Sequence, residues 1–568
     1  MTEVLHHRGP DDENFYFEGN MGLGHRRLSI IDLITGRQPI KNEDSTLWLV
    51  ANGEIYNFLE LKKELETKGH IFSSRSDSEV ILHLYEDMGE RCLEKLIGMF
   101  AFAIWDQKKR KLFLARDRFG IKPLHYYSDQ NTFLFASEIK SLLKYSNLDK
   151  SINYSALDQY FTFLYILEPQ TIFKHIHKLP PAHYLICEKN KITLHKYWEI
   201  KSSRERGHSE KSYADRLKFY VDESVHLTLR SDVPVGVFLS GGIDSSVVAA
   251  LARSRQRKIK TFSVTFNEKF ASEEQYSRLA AKAFKTDHHE LVVTKSDALR
   301  AIPKLAAHLD EPFGDSSALP TYCISKFARG FVKTVLTGEG GDELFAGYHW
   351  QTHRTSGNGS AKSLSKIPSK MIFNDRERQK LYSASLDQKI QGSSQHNLEI
   401  DQRYFKQLNT LEKHLYLDFK FYLPSDMLTK MDRMSMMNSL EGRFPFLNHP
   451  LVEFAQSVPS SLKLKQGIRK YLLKKTFGHI IPKAILTRSK MGFSVPLKTW
   501  LWEKGKFRDL IYDVLLDPKT KKRGYFNYPM IEKMLHEHDR LIQMHDQRIW
   551  TLFMFELWHR NFLDRAAP

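Results

Sequence analysis

Two hydrophobic rhythms divide this chain. In the first third, short apolar runs recur between turn-forming residues, at 47–51, 99–105, 111–115 and 132–136. Runs of this length bounded by polar turns predict β-strands. Between them, at 58–68 and 78–88, apolar residues recur every three or four positions, which predicts helices. The mixture suits a layered α+β unit. Downstream the order becomes strand, turn, helix, repeated. Ser212 and Asp215 carry a capping-box signature ahead of Leu217, Val221, Val225 and Leu229, spaced along one helix face. Strands are predicted at 233–239, 260–266, 290–293 and 332–336, with helices at 245–252 and 273–284. That alternation predicts a doubly wound parallel sheet, α/β in class, whose ligands gather at the carboxyl ends of its strands. Beyond about residue 352 the pattern is mainly helical, interrupted by polar loops at 355–370 and 393–397. A polar stretch at 202–209 reads as a linker, so the domains are expected at 1–195 and 210–568.

Composition adds constraints. A chain of 568 residues with 41% hydrophobic and 27% charged residues has material for more than one core and the character of a soluble globular protein. No apolar run approaches the ~18 residues of a membrane span, and the first residues carry no apolar segment of the secretory kind. Cys92, Cys187 and Cys323 are few and far apart, which argues against a disulfide framework and for a reducing, cytoplasmic location. The net charge of +18 raises the question of nucleic acid. Its lysines and arginines are scattered, with short runs only at 258–260 and 519–523, so the excess reads as solvated surface. Neither a nucleic-acid nor a membrane partner is expected.

Two loops carry the sharpest chemistry. Leu239-Ser240-Gly241-Gly242-Ile243-Asp244-Ser245-Ser246 lies between a predicted strand and a predicted helix. Paired glycines let the backbone approach an anion, and hydroxyls and helix N-terminal N–H groups supply donors. Asp244 would repel phosphate directly and makes sense as a ligand to a bridging Mg²⁺. No Gly-Lys-Ser/Thr follows, so this is not a Walker motif. Thr337-Gly338-Glu339-Gly340-Gly341-Asp342-Glu343 follows another strand of the same predicted sheet, and its carboxylates suit a metal or acid–base site. Taken alone, the first string reads as an ordinary glycine turn and the second as a flexible acidic loop; as neighbours on one sheet they become partners.

The two loops resemble those of the pyrophosphate-loop ATP pyrophosphatases, and over nearly the whole chain the resemblance is to glutamine-hydrolysing asparagine synthetases. It rests on ordered strings, among them His7-Arg8-Gly9-Pro10-Asp11, Asn52-Gly53-Glu54-Ile55-Tyr56-Asn57, Asp77-Ser78-Glu79, and Ala115-Arg116-Asp117-Arg118-Phe119-Gly120. Leu423-Pro424-Ser425-Asp426-Met427-Leu428-Thr429-Lys430, Leu440-Glu441-Gly442-Arg443-Phe444-Pro445 and Arg488-Ser489-Lys490-Met491-Gly492-Phe493 continue it. The resemblance implies an N-terminal-nucleophile αββα sandwich, incomplete here, followed by the parallel ATP pyrophosphatase sheet and a helical C-terminal part. It implies ATP and Mg²⁺ as cofactors and aspartate, ATP, and glutamine or ammonia as small-molecule partners, with a homodimer left open. By matching position, Leu239 and Val264 would line the adenine site and Ser240, Gly241, Gly242, Asp244 and Ser245 would hold pyrophosphate, with Thr337 and Gly338 also in the ATP site. Asp244 and Asp342 would bind Mg²⁺, Glu339 would act as acid–base and Lys470 would neutralise phosphate charge. Arg27, Asn52, Gly53, Glu54 and Asp77 would form the glutamine pocket.

The sequence also departs from that family. Its members begin Met-Cys-Gly, the processed cysteine being the glutaminase nucleophile, whereas this sequence starts nine residues before Pro10 and its three cysteines match no nucleophile position. Two explanations compete, a start inside a longer natural protein or a glutaminase that is dead and decaying, and the retained pocket residues favour the first. Free ammonia is the expected nitrogen source of this chain, and the N-terminal sandwich is expected to leave exposed strand edges and a partly uncovered core. Ala182 stands where the family usually has glycine, and Asn448 where aspartate is common. Glu339, with Asn52-Gly53-Glu54, disfavours the β-lactam synthetases, which usually carry tyrosine at the first position. An amidotransferase acting on another carboxylate, such as a polysaccharide precursor or peptide, is a nearer rival. A basic nucleic-acid-binding protein would leave both loops without purpose.

Overall fold

The computed structural model describes residues 1–564 apart from 190, 201–207, 269–272, 356–370, 393–399, 489–491, 493 and 494. Most of the linker-like stretch, both polar loops beyond 355 and part of the 488–493 string therefore lie outside the described residues.

In the first half, six strands form an antiparallel sheet in the order Lys191–Lys196, His183–Glu188, Lys111–Arg116, Gly98–Asp106, Leu47–Ile55, Ile40–Lys41. The central strand Gly98–Asp106 explains the layering. Its side chains alternate, sending Phe100, Phe102 and Ile104 to one face and Ala101, Ala103 and Trp105 to the other. The first set packs against the helices Phe58–Thr67 and Glu79–Met88 through Leu61, Leu65, Val80 and Leu84. The second meets the hairpin Asp12–Glu18/Met21–Arg27 and a three-stranded sheet of Phe133–Ala136, His125–Ser128 and Ile176–Lys178. Beyond that smaller sheet, the helices Ile139–Leu142 and Tyr154–Phe163 pack around Tyr127, Ala136 and Ile176. The layers thus run α, β, β, α. The hairpin exposes Phe15 and Phe17.

The second half contains a five-stranded, wholly parallel sheet in the order Asp287–Val293, Lys260–Phe266, Val235–Phe238, Thr334–Leu336, Glu441–Arg443. The chain winds outward from Val235–Phe238 in one direction and then in the other, so the order reverses between Val235–Phe238 and Thr334–Leu336. Several bounds differ from the sequence expectation. Ser209, at the end of the linker-like stretch, caps the helix Glu210–Thr228 by accepting a hydrogen bond from the Ser212 N–H (3.2 Å), so Ser212 and Asp215 lie inside the helix. The strand expected at 290–293 runs from Asp287 to Val293, and that expected at 332–336 shortens to Thr334–Leu336. The fifth strand, Glu441–Arg443, has no apolar residue to announce it. Its charged side chains are buried by tertiary contact.

Two features lock the halves together. Tyr56, Met99, Phe119 and Ile121 of the first half share a core with Val237, Leu336, Phe419 and Phe446 of the second. A buried ion cluster adds to this. Arg8 pairs with Glu138 (3.0 Å) and Asp432 (2.8 Å), and Arg433 pairs with Glu138 (3.0 Å) and Asp310 (3.1 Å). Burial opposes ionisation of Glu138, but Lys140 and Arg433 more than reverse it and hold its carboxyl well below the usual range. Among the described residues, no helix is long and apolar enough to cross a membrane.

Candidate functional site

The point where strand order reverses opens a crevice at the carboxyl ends of Val235–Phe238 and Thr334–Leu336. Both glycine loops leave from these two adjacent strands. In the first, Gly242 caps the helix Ile243–Arg255, and the Ser240 and Ser245 hydroxyls lie 3.1 Å apart. The Ser240 Oγ accepts from the Gly242 N–H (3.3 Å), so hydroxyls and N–H groups are gathered at a helix N-terminus before any anion arrives. Leu239 is buried, and its N–H already donates to the Phe262 carbonyl (2.8 Å). Two residues along from Phe262, Val264 presents its N–H and C=O to the same side, past the end of the shorter strand. Val264 is therefore the better placed of the two for backbone contact with a base.

The second loop brings its carboxylate to the first. Lys470 Nζ sits between Asp244 and Asp342, at 2.5 Å from the Asp342 Oδ1 and closer to the Asp244 Oδ2. Burial of Lys470 would lower its pKa, but the two aspartates overcompensate and push it up, so it stays charged. Lys470 reaches this place from the left-handed position (φ +53°) that starts the helix Tyr471–Phe477. A Cβ on Gly347 would overlap both the Asp342 Oδ1 and the Lys470 Cε, so a larger residue there would displace these two side chains. Two hard carboxylate oxygens converging on one cation, beside an anion-binding turn, fit a divalent ion shared with phosphate oxygens.

Glu339, partly buried, lies on the same loop, and its N–H approaches the Thr337 Oγ1 (3.4 Å). Nearby stands a group the sequence pattern did not single out. Lys430 donates to the Asp315 Oδ2 (2.8 Å). Burial would lower the Lys430 pKa, but Asp315 and Asp426, with a smaller contribution from Glu339, push it up. Burial and the Asp315 charge push the Asp426 carboxyl well up. Lys430 and Asp426 lie within a string quoted for the family resemblance; the spacing of that string gave no hint that Asp315, more than a hundred residues earlier, would meet them.

The five residues expected to bind glutamine line one cavity of about 990 Å³ between the six-stranded sheet and the hairpin. Asn52 Nδ2 is buried with no protein partner among the described residues, which suits a ligand contact. Gly53 has φ +143°, and a Cβ there would strike the Met99 carbonyl. Asp77 accepts from the Ile55 N–H (2.7 Å), and burial pushes its carboxyl up to about 6. Arg27 departs from the simplest expectation. Its Nη2 donates to the Ile31 and Asp32 carbonyls (3.0 and 2.5 Å), so it braces the cavity wall.

Residues 216–560 match the asparagine synthase family model, and residues 1–198 match the glutamine amidotransferase domain. The glutamine-hydrolyzing asparagine synthetase 1 of Bacillus subtilis (strain 168) is 35% identical over all of this chain and 94% of its own length. Synthetase 3 of the same organism is 32% identical over 91% of this chain and 88% of its own. A putative glutamine-hydrolyzing asparagine synthetase 2 of Methanocaldococcus jannaschii is 40% identical over 61% of this chain and 72% of its own.

This chain belongs to the asparagine synthetase family.

Several details of this family member follow. Glu54 joins the two halves directly, its Oε1 lying 3.0 Å from the Arg443 Nη2, while Arg443 Nε donates to the Glu441 Oε1 (2.9 Å). The wall of the amidotransferase cavity is thus tied to the last strand of the synthetase sheet. Ala182, where the family usually has glycine, holds φ +60°, the left-handed conformation that glycine adopts without cost. Asn448 precedes the helix His449–Ser457, and its buried Oδ1 finds no partner among the described residues. Burial raises all three thiols, Cys323 to about 12, so none has the lowered pKa of an activated nucleophile.

Proposed function

We propose that this chain converts aspartate into asparagine at the expense of ATP, which leaves as AMP and pyrophosphate. The observation that carries the reading is the convergence of Asp244, Asp342 and Lys470 at the switch point of the parallel sheet, with Glu339 on the same loop. Ser240, Gly241, Gly242 and Ser245 would cradle the pyrophosphate through N–H and hydroxyl donors. The nucleotide's base would lie against Leu239 and Val264, with Thr337 and Gly338 closing the opposite wall. Asp244 and Asp342 would hold Mg²⁺, which when bound draws charge off the phosphates. Lys470 would then be released toward the phosphate to offset the negative charge that builds as the β-carboxylate attacks the α-phosphorus. Ammonia would next attack the acyl carbon of β-aspartyl-AMP, and Glu339 would take the proton that the nitrogen sheds. Lys430, held by Asp315, would position Glu339 and the substrate carboxylate electrostatically.

Residues 1–195 and 210–568 would act as two units, the first holding glutamine among Arg27, Asn52, Gly53, Glu54 and Asp77. The test is a single incubation with ATP, Mg²⁺, aspartate and ammonium, read for AMP, pyrophosphate and asparagine. Production of ADP would overturn adenylation. Pyrophosphate release with a different carboxylate, and none with aspartate, would move the acceptor while keeping the chemistry.

A further inference from the structure

On the helical face of the N-terminal half, four side chains to which no role is assigned above meet at one point. Glu43 comes from the turn between Ile40–Lys41 and Leu47–Ile55, and His70 from the segment after the helix Phe58–Thr67. His83 and Glu86 come from one face of the helix Glu79–Met88, three positions apart. One ligand atom from each lies within 4.8 Å of all the others. His83 Nδ1 is 3.1 Å from the Glu86 Oε2 and 3.6 Å from the Glu43 Oε1. His70 Nδ1 is 3.7 Å from each of the same two oxygens. Four ligands at the zinc–nitrogen and zinc–oxygen distances of about 2.0–2.2 Å would stand about 3.4 Å apart at the corners of a tetrahedron. The four histidine–carboxylate edges, 3.1 to 3.7 Å, bracket that value.

The surroundings match as well. Metal-bound imidazoles hand their remaining ring nitrogen to a carboxylate or carbonyl, which fixes tautomer and orientation. His70 Nε2 lies 3.0 Å from the Asp87 Oδ1, and His83 Nε2 faces the Glu79 Oε1 at 3.6 Å. Glu79 is itself held by the Ser73 N–H (2.7 Å) and the Ser74 N–H (2.8 Å). The two carboxylates are also anchored, Glu86 Oε1 by Asn42 Nδ2 (2.8 Å) and Glu43 Oε1 by the Ile71 N–H (2.9 Å). A shared proton accounts for the single 3.1 Å contact between His83 and Glu86. It does not account for a second imidazole turning its Nδ1 toward the same two oxygens at distances too long for hydrogen bonds.

We propose that Glu43, His70, His83 and Glu86 form a structural site for Zn²⁺ or a similar borderline divalent transition ion. Two nitrogens and two oxygens in a tetrahedral set disfavour Mg²⁺ and Ca²⁺, which take six or more oxygens. The ion would clamp the turn at 42–43 and the segment at 70–72 to the helix Glu79–Met88. Through Glu79 it would also fix the turn at 73–74 that leads to Asp77.

The full-length chain, stripped with chelator, is titrated with Zn²⁺ against a competing zinc-binding dye, in excess Mg²⁺ to keep the Asp244/Asp342 pair engaged. One zinc per chain is expected, and cobalt in its place should show the intense visible bands of a four-coordinate ion. His70→Ala and Glu43→Gln should each weaken binding at least tenfold, and Asp87→Asn about tenfold. His83 is fully buried and its loss could unfold the domain, whereas His70 and Glu43 reach solvent, and circular dichroism verifies their folding. No zinc uptake by the parent chain at tens of micromolar, or equal affinity in His70→Ala and Glu43→Gln, would overturn the proposal.

Discussion

At the scale of single residues, buried charge sets what can be tested. Asp77 titrates near pH 6 in the fold against 3.8 in an unfolded chain, because burial disfavours its charged form. The folded state therefore binds the extra proton, and the stability this contributes is full below pH 3.8 and lost as pH rises through 6. Asp77→Asn removes that dependence, so at pH 8 the variant should be more stable by about 3 kcal/mol. The gain should vanish below pH 4. Urea unfolding at both pH values measures it, and equal stabilities at pH 8 would refute it. In the synthetase site, Glu339→Gln should leave ATP binding intact and lower asparagine formation by about 10²- to 10⁴-fold, the usual worth of a general base. Lys470→Met should instead slow pyrophosphate release itself, by about 10²- to 10³-fold. Rapid-quench assays separate the two steps. An unaffected rate in either variant would remove that residue from the mechanism.

At the scale of elements, close approach matters more than propensity. Asp342 and Lys470 occupy space that a Cβ on Gly347 would take, so the pairing of the second loop with the first depends on room at this position. Gly347→Ala should therefore separate the Asp342–Lys470 pair, abolish pyrophosphate release and leave the amidotransferase half folded. Activity and circular dichroism measured on one sample test this, and a fully active variant would show that the pairing is dispensable. A comparable constraint governs the short strand Glu441–Arg443. Its three residues have no apolar side chain, yet all are buried, because Arg443 balances Glu54 and Glu441 inside the interface. A buried pair broken on one side costs about 3–5 kcal/mol. The strand is thus held by charges that belong to two different parts of the chain.

At the scale of the whole molecule, the halves are not separable beads. Tyr56, Met99, Phe119 and Ile121 sit in the core that contains the parallel sheet, and Phe119 meets Phe419 edge-on at 5.6 Å between centroids. Each such side chain gains about 1.5–3 kcal/mol from burial. Expressed alone, residues 208–568 should therefore expose this surface and aggregate. Size-exclusion chromatography of that fragment provides the check; a soluble monomer with native circular dichroism would contradict it. Acidic side chains pair with many of the lysines and arginines.

What the sequence determined by itself is local and repetitive. The strands at 98–106 and 260–266 and the helices at 58–67 and 274–284 follow from periodicity within a residue or two, because a side chain's alternation between faces is a property of its neighbours in the chain. The two glycine loops were legible for the same reason: anion binding at a strand-to-helix turn needs contiguous glycines, hydroxyls and N–H groups. The order of the family strings was equally explicit. Tertiary structure alone decided which distant charges meet. Lys470 between Asp244 and Asp342, Lys430 against Asp315, Arg443 against Glu54, and His70 against His83 join residues separated by 13 to several hundred positions. Electrostatic and ligand contacts have no sequence period, since they depend on distance through space, and only the packed layers bring those side chains within a few ångströms.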